Sequence, residues 1–144
     1  MKIRQLSIFL ENRVGRLDGV VKILGEAGID ILAISVADTT DFGVLRLIVK
    51  DIEKADRILR ERGVVCRINN VSVAAVKAAP GGLAEVLAVL HTAGVNIEYM
   101  YAIAQTRRPQ PLMVFRFTEG ERAAAALEAA GVELLDEAKL FADA

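Results

Sequence analysis

The residues best placed to do chemistry lie in two short turns. The first reads Glu11-Asn12-Arg13-Val14-Gly15-Arg16-Leu17 and the second Lys77-Ala78-Ala79-Pro80-Gly81-Gly82-Leu83. Each precedes an apolar pattern of helical period, so each would present the unpaired backbone N–H groups and the positive dipole end of a helix start. Glycine at 15 and 81 removes the side chain that would keep an anion away from those groups. A ligand carboxylate suits such a corner. An α-amino acid also needs acceptors for its ammonium group, and Asn12 with the backbone carbonyls near Asp30-Ile31 or Asn96-Ile97 would supply them. A plainer reading stands beside this one: Gly15 and Gly81 serve a tight turn, and Asn12 bonds its own backbone at a helix entry.

Other chemistry is thinly represented. Arg13 and Arg16 beside Asn12 fit the anion loop of an acylphosphatase-like hydrolase, but no paired acid and base, His/Cys/Asp cluster or metal-ligand spacing accompanies them. The one histidine, His91, falls on a helix face opposite the apolar stripe and reads as a surface residue. Cys66 reads as a small buried hydrophobe. Asp41-Phe42-Gly43 spells a kinase triplet without the glycine-rich loop or His-Arg-Asp that would give it meaning, and is a chance match. Asp38, Thr39 and Asp41 read as loop-formers, and Tyr99, Met100 and Tyr101 as strand packing. The expectation is a protein with no catalytic residue, cofactor or metal.

The elements that position the two turns come from a duplication. Residues 14–31 and 80–97 match at an offset of 66, with identities at Gly15/Gly81, Leu17/Leu83, Val20/Val86, Leu24/Leu90, Ala27/Ala93, Gly28/Gly94 and Ile31/Ile97. Later, Ala55/Ala123 and Gly63-Val64/Gly131-Val132 match at an offset of 68, which places a two-residue insertion in the loop holding Arg107-Arg108-Pro109-Gln110-Pro111. Such self-similarity marks a repeated unit of structure. Residues 1–69 and 70–144 are the expected domains, joined at Asn69-Asn70 without a flexible linker.

In the first copy, strand-like 2–10 leads into a helix whose Leu17, Val20, Val21 and Leu24 share one face. Strands 29–37 and 43–50 follow around a loop at 38–42, then a helix capped by Asp51, then a strand at 64–68. The second copy repeats this with strand 71–77, helix 82–93, strands 95–104 and 112–118, helix 119–130 and strand 132–135. Thr118 and Glu121 have capping-box spacing. The order β-α-β-β-α-β is the ferredoxin-like motif, so the fold class is α+β: two four-stranded antiparallel sheets, each with its helices on one face. The strand after the first helix would be an apolar edge in both copies, which invites association.

Composition narrows the partners. With 18 Lys and Arg against 19 Asp and Glu, the net charge of −1 and the lack of a basic run oppose nucleic-acid binding and attraction to a membrane surface. Aromatics are 5 % of the chain, too few for a base-stacking sheet. The charged start Met1-Lys2-Ile3-Arg4 is unlike a signal peptide, no apolar run has the ~20 residues of a membrane span, and a single cysteine suits a reducing, cytoplasmic setting.

The two turns resemble the motif of the ACT family, in which a polar residue stands two or three positions ahead of Pro-Gly and a hydrophobic residue. The first copy has Val14 where the family mostly has Pro; the second keeps Pro80-Gly81 but has Ala78 in the polar position. The segment Ser35–Arg46 further resembles free-standing tandem-ACT proteins. The resemblance covers both halves. It implies a non-enzymatic regulatory protein that binds a small amino acid between ACT units, as a homo-oligomer such as a dimer, or serves as a regulatory subunit for an enzyme of amino-acid metabolism. Carried over by position, one site would use Asn12, Val14, Gly15 and Leu17 with Asn96 and Ile97. A second would use Pro80, Gly81 and Leu83 with Asp30 and Ile31.

Overall fold

Alternation sorts the first strand. In β1 (Ile3–Glu11), Leu6, Ile8 and Leu10 point to one side, as a period of two requires. The side chains of α1 (Arg16–Glu26) that meet them are Val20 and Leu24, one turn apart. Strands β2 (Ile31–Asp38) and β3 (Phe42–Val49) form an antiparallel hairpin, and β3 pairs antiparallel with β1, placing Leu6 opposite Leu47 and Ile8 opposite Leu45. Helix α2 (Ile52–Glu61) adds Ile52, Ala55 and Leu59 to the same core. Its start is capped by Asp51, whose carboxylate accepts from the Lys54 N–H at 3.2 Å. Strand β4 (Cys66–Ala75) completes the order β2-β3-β1-β4. The computed structural model describes residues 2–38 and 41–144; the expected loop-former Thr39 lies outside them, as does the side chain of Asp38.

The second unit repeats the plan. After β4 come α3 (Gly82–Thr92), β5 (Ile97–Ala102), β6 (Leu112–Phe117), α4 (Gly120–Ala129) and β7 (Leu134–Leu135). The strands are ordered β5-β6-β4, with β7 on the far side of β4. Val86, Leu90, Phe115, Phe117, Ala123 and Leu127 form the core between this sheet and its helices. The chain divides into Arg4–Asn69 and Asn70–Ala144, the second unit also taking in Lys2 and Ile3. Equivalence extends to side-chain bonds: Lys54 donates to the Ala27 carbonyl at 2.9 Å, and Arg122 donates to the Ala93 carbonyl. In each unit a cation from the second helix thus meets an orphan carbonyl at the end of the first.

The architecture is the expected α+β pair of β-α-β-β-α-β units, with β2 and β5 at sheet edges. Three local expectations need correction, and one helix was not expected. The strands expected at 64–68 and 71–77 are one: β4 runs from Cys66 to Ala75 through Asn69-Asn70, since nothing there terminates extended backbone. Thr118 and Glu121 form no capping box. The Thr118 N–H donates to the Asn96 carbonyl at 3.1 Å, Thr118 Oγ1 accepts from Asn96 Nδ2 at 3.1 Å, and Glu119 takes the cap position without a side-chain cap bond. The last strand is only Leu134–Leu135. After it stands α5 (Glu137–Ala142), capped by Asp136 and too short for its period to stand out in the sequence.

Candidate ligand-binding corners

The first corner is set by backbone. After β1, the Asn12 N–H donates to the Asp41 carbonyl at 2.9 Å and the Arg13 N–H to the Glu11 carbonyl at 2.8 Å. The chain then reverses at Gly15, whose φ of 89° lies in the left-handed region, and α1 begins with no side chain capping it. A Cβ on Gly15 would touch nothing within 4 Å, so the glycine is needed for its φ, and the space before it is open. Val14 is fully exposed and Leu17 is 40 % exposed. The guanidiniums of Arg13 and Arg16 lie 2.9 and 3.8 Å from the Glu11 carboxylate, so the arginines of the hydrolase reading are engaged on the surface.

The second corner is built alike and furnished differently. Gly81 has φ 84° and also starts its helix without a side-chain cap. Gly82, at the position of Arg16, is buried, and a Cβ there would stand 2.2 Å from the Lys77 carbonyl oxygen. Pro80 is exposed and Leu83 is 37 % exposed.

Within one unit the corner and the start of the following strand are not brought together. Asp30 and Ile31 follow the far end of the 11-residue α1, roughly 16 Å along the axis from Gly15. Asn96 and Ile97 are related to Gly81 in the same way across the 11-residue α3. The carbonyls expected to receive an ammonium already accept sheet bonds, Asp30 from the Lys50 N–H at 3.2 Å and Asn96 from the Thr118 N–H at 3.1 Å. Each retains a second lone pair. Ile31 and Ile97 are half-buried against their cores.

Sequence reasoning missed a cavity beside each corner. In the first unit it measures about 490 Å³ and lies between the start of α1 and residues 62–65, lined by Gly15, Arg16, Gly19, Phe9, Phe42 and Arg62 among others. In the second unit the equivalent cavity measures about 360 Å³ and is lined by Lys77, Gly82, Glu85, Gln110 and Glu133 among others. Both fall in the size class of small-molecule sites. The difference on the helix is that Gly19 brings no side chain to the first cavity, whereas Glu85 lines the second and pairs with Lys77 Nζ at 3.1 Å. The Gly19/Glu85 contrast is visible in the aligned copies, but nothing in the pattern says that both positions face a cavity.

A second missed feature is the insertion loop. Arg108 grips both carboxylate oxygens of Glu133 at 3.0 and 2.8 Å, and its Nε reaches Asp143 at 2.6 Å. Lys139 also pairs with Glu133. The Arg108 bonds, and then those of Lys139, hold the Glu133 carboxyl down at about 2. Cys66 is buried and donates to Asp56 Oδ1 at 3.2 Å; burial pushes its thiol up to about 11, so it stays protonated and unreactive. His91 is exposed, as expected, and Tyr99 and Tyr101 stack with ring centroids 6.5 Å apart.

Among the described residues no helix is long and apolar enough to cross a membrane, and no group of three or more His, Cys, Asp or Glu could hold a metal ion. No curated protein matches the chain. Among solved structures, protein BT0572 from Bacteroides thetaiotaomicron is 37 % identical, with a TM-score of 0.90 over 98 % of this chain and 96 % of that one. The ligand-free regulatory subunit of aspartate kinase from Thermus thermophilus shares the fold at 20 % identity and a TM-score of 0.62, over 89 % of this chain and 90 % of that one. The family described as ACT domain pair matches residues 1–142. Two β-α-β-β-α-β units, each opening its first helix at a left-handed glycine, and a family match across both place the chain in the ACT family, as an ACT domain pair.

Proposed function

We propose that this ACT domain pair is a regulatory sensor of a small amino acid, and that the Gly15 corner is the competent one. The observation that carries the reading is the cavity beside an uncapped, left-handed glycine corner in the first unit, larger than its counterpart and without the charged Lys77–Glu85 pair that lines the second. The ligand carboxylate meets the free amides of the first turn of α1, and Asn12 orients the ammonium. Asn12, Val14, Gly15 and Leu17 of one unit act with Asn96 and Ile97 of another; Pro80, Gly81 and Leu83 with Asp30 and Ile31 form the weaker counterpart. The chain acts without chemistry of its own: a ligand that binds one arrangement of units better than another shifts the population toward it. A cytoplasmic setting fits the unreactive single thiol. Thermal-shift measurements with each of the twenty amino acids test this. Stabilisation by at least one of them, lost in Asn12→Ala, is the expected result; no shift with any of them sinks the reading.

A role as regulatory subunit of an amino-acid-metabolising enzyme is a second form of the same proposal. It is favoured by the exposed apolar side chains of edge strand β2, Ile34 at 42 % and Val36 at 52 %, and by the likeness in fold to an aspartate kinase regulatory subunit.

A further inference from the structure

The duplication provides an internal control for a second cavity, away from either corner, where sheet and second helix meet. In the first unit this place is filled. Leu6 is fully buried there, Ile52 is 3 % exposed in the first turn of α2, Asp51 caps that turn, and Arg4 reaches Glu53 at 2.5 Å. In the second unit the register pairs Ser72 with Phe115 as it pairs Leu6 with Leu47, so Ser72 occupies the slot of Leu6 and faces the helix side. Gly120 stands for Ile52, and a Cβ on it would meet nothing within 4 Å. Glu119 stands for Asp51 and makes no cap; its carboxylate turns to Arg122 at 2.8 Å instead. Asn70 stands for Arg4, leaving Glu121 without the partner that Glu53 has.

These changes all act in one direction. They open a cavity of about 270 Å³ in front of the uncapped amides of α4. The Ser72 hydroxyl lines it from a residue only 8 % exposed, and among the described residues no group hydrogen-bonds to it. It is an unpaired hydroxyl on a side chain that is nine-tenths buried, open to the cavity and able to donate to a ligand there. Lys2 and Arg116 bring positive charge to the rim, Arg116 also donating to the Asn70 carbonyl at 2.6 Å and lying 3.8 Å from Glu98. Glu121 is the one acid on the wall, and Val71, Phe115, Phe117 and Ala124 are its apolar part.

We infer that this cavity is a binding site for a small aliphatic carboxylate, separate from the Gly15 corner. The carboxylate accepts from the first-turn amides of α4 and the Ser72 hydroxyl, with Lys2 and Arg116 supplying counter-charge, and the aliphatic group lies on Phe115 and Phe117. Isovalerate and valine carry the same carboxylate and branched chain; valine adds an ammonium that faces Glu121, so the pair separates a simple acid from an amino acid. The test is residue-resolved NMR titration of the full chain with each compound. The expected result is saturable shifts at Gly120, Glu121 and Ser72 with one or both. Binding should be lost in Ser72→Leu/Gly120→Ile, which restores the first unit's residues, and weakened about tenfold in the exposed-site variant Lys2→Ala. Absence of shifts at these residues with both compounds, or unchanged affinity in Lys2→Ala and the filled variant, overturns the proposal. Shifts confined to the residues around Gly15 would leave the sensor reading standing and remove this one.

Discussion

At Gly15 a side chain has room and the backbone does not permit it, whereas at Gly82 the backbone permits a side chain that has no room. The two positions are neighbours in the repeat, yet substitution costs come from different terms. Gly15→Ala forces an L-residue into the left-handed region and should lower stability by about 1–2 kcal/mol. Gly82→Ala drives a Cβ to 2.2 Å from a carbonyl oxygen, so the turn must move and the loss should be larger. Urea unfolding of both variants checks this ordering; equal losses would contradict it. The glycines themselves were legible in the sequence, and so was their place at helix starts. Their reason was not: access for an anion and a left-handed φ predict the same letter, and only coordinates separate them.

At the scale of elements, the insertion loop and α5 are bound by charge. Arg108 joins the loop to Glu133 and Asp143, and Lys139 adds to Glu133 from the helix. Because Glu133 falls from an ordinary 4.5 to about 2 on folding, its contribution to stability is present above 4.5 and disappears as pH falls from there toward 2. Unfolding midpoints measured between neutral pH and about pH 3 should therefore decline, and Arg108→Ala should flatten the decline in that window. An identical pH profile in the variant would show the clasp to be inert. The sequence marked this loop only as two extra residues. Helix α5 is not legible because six residues hold too little of a helical period to register, and β4 reads as two strands because paired asparagines favour turns unless partner strands hold them extended. Thr118 and Glu121 show the reverse: the spacing fits a capping box, but the Asn96 side chain claims the threonine hydroxyl.

For the whole molecule, the duplication made most of the fold readable, since each copy checks the other's strands, helices and edges. What it hid was divergence, because cavities arise from the absence of side chains and an alignment records absence only as a different letter. Gly19 against Glu85 and Gly120 against Ile52 are such letters. The edge strand β2 carries the prediction that belongs at this scale. If Ile34 and Val36 support pairing with a second chain, Ile34→Lys places a charge in that contact, and sedimentation should show the self-association of the parent weakened by tenfold or more at unchanged fold. A parent that is monomeric at all concentrations would remove the pairing.

The bridge from Lys77 to Glu85 has a numerical consequence. A symmetric ring of single-copy units must present its sites in even-handed sets, every position equivalent by rotation. A fused pair in which Glu85 pairs with Lys77 beside one corner while Gly19 leaves the other bare breaks that equivalence, so the corners should fill in two unequal steps, the tight one at one equivalent per polypeptide.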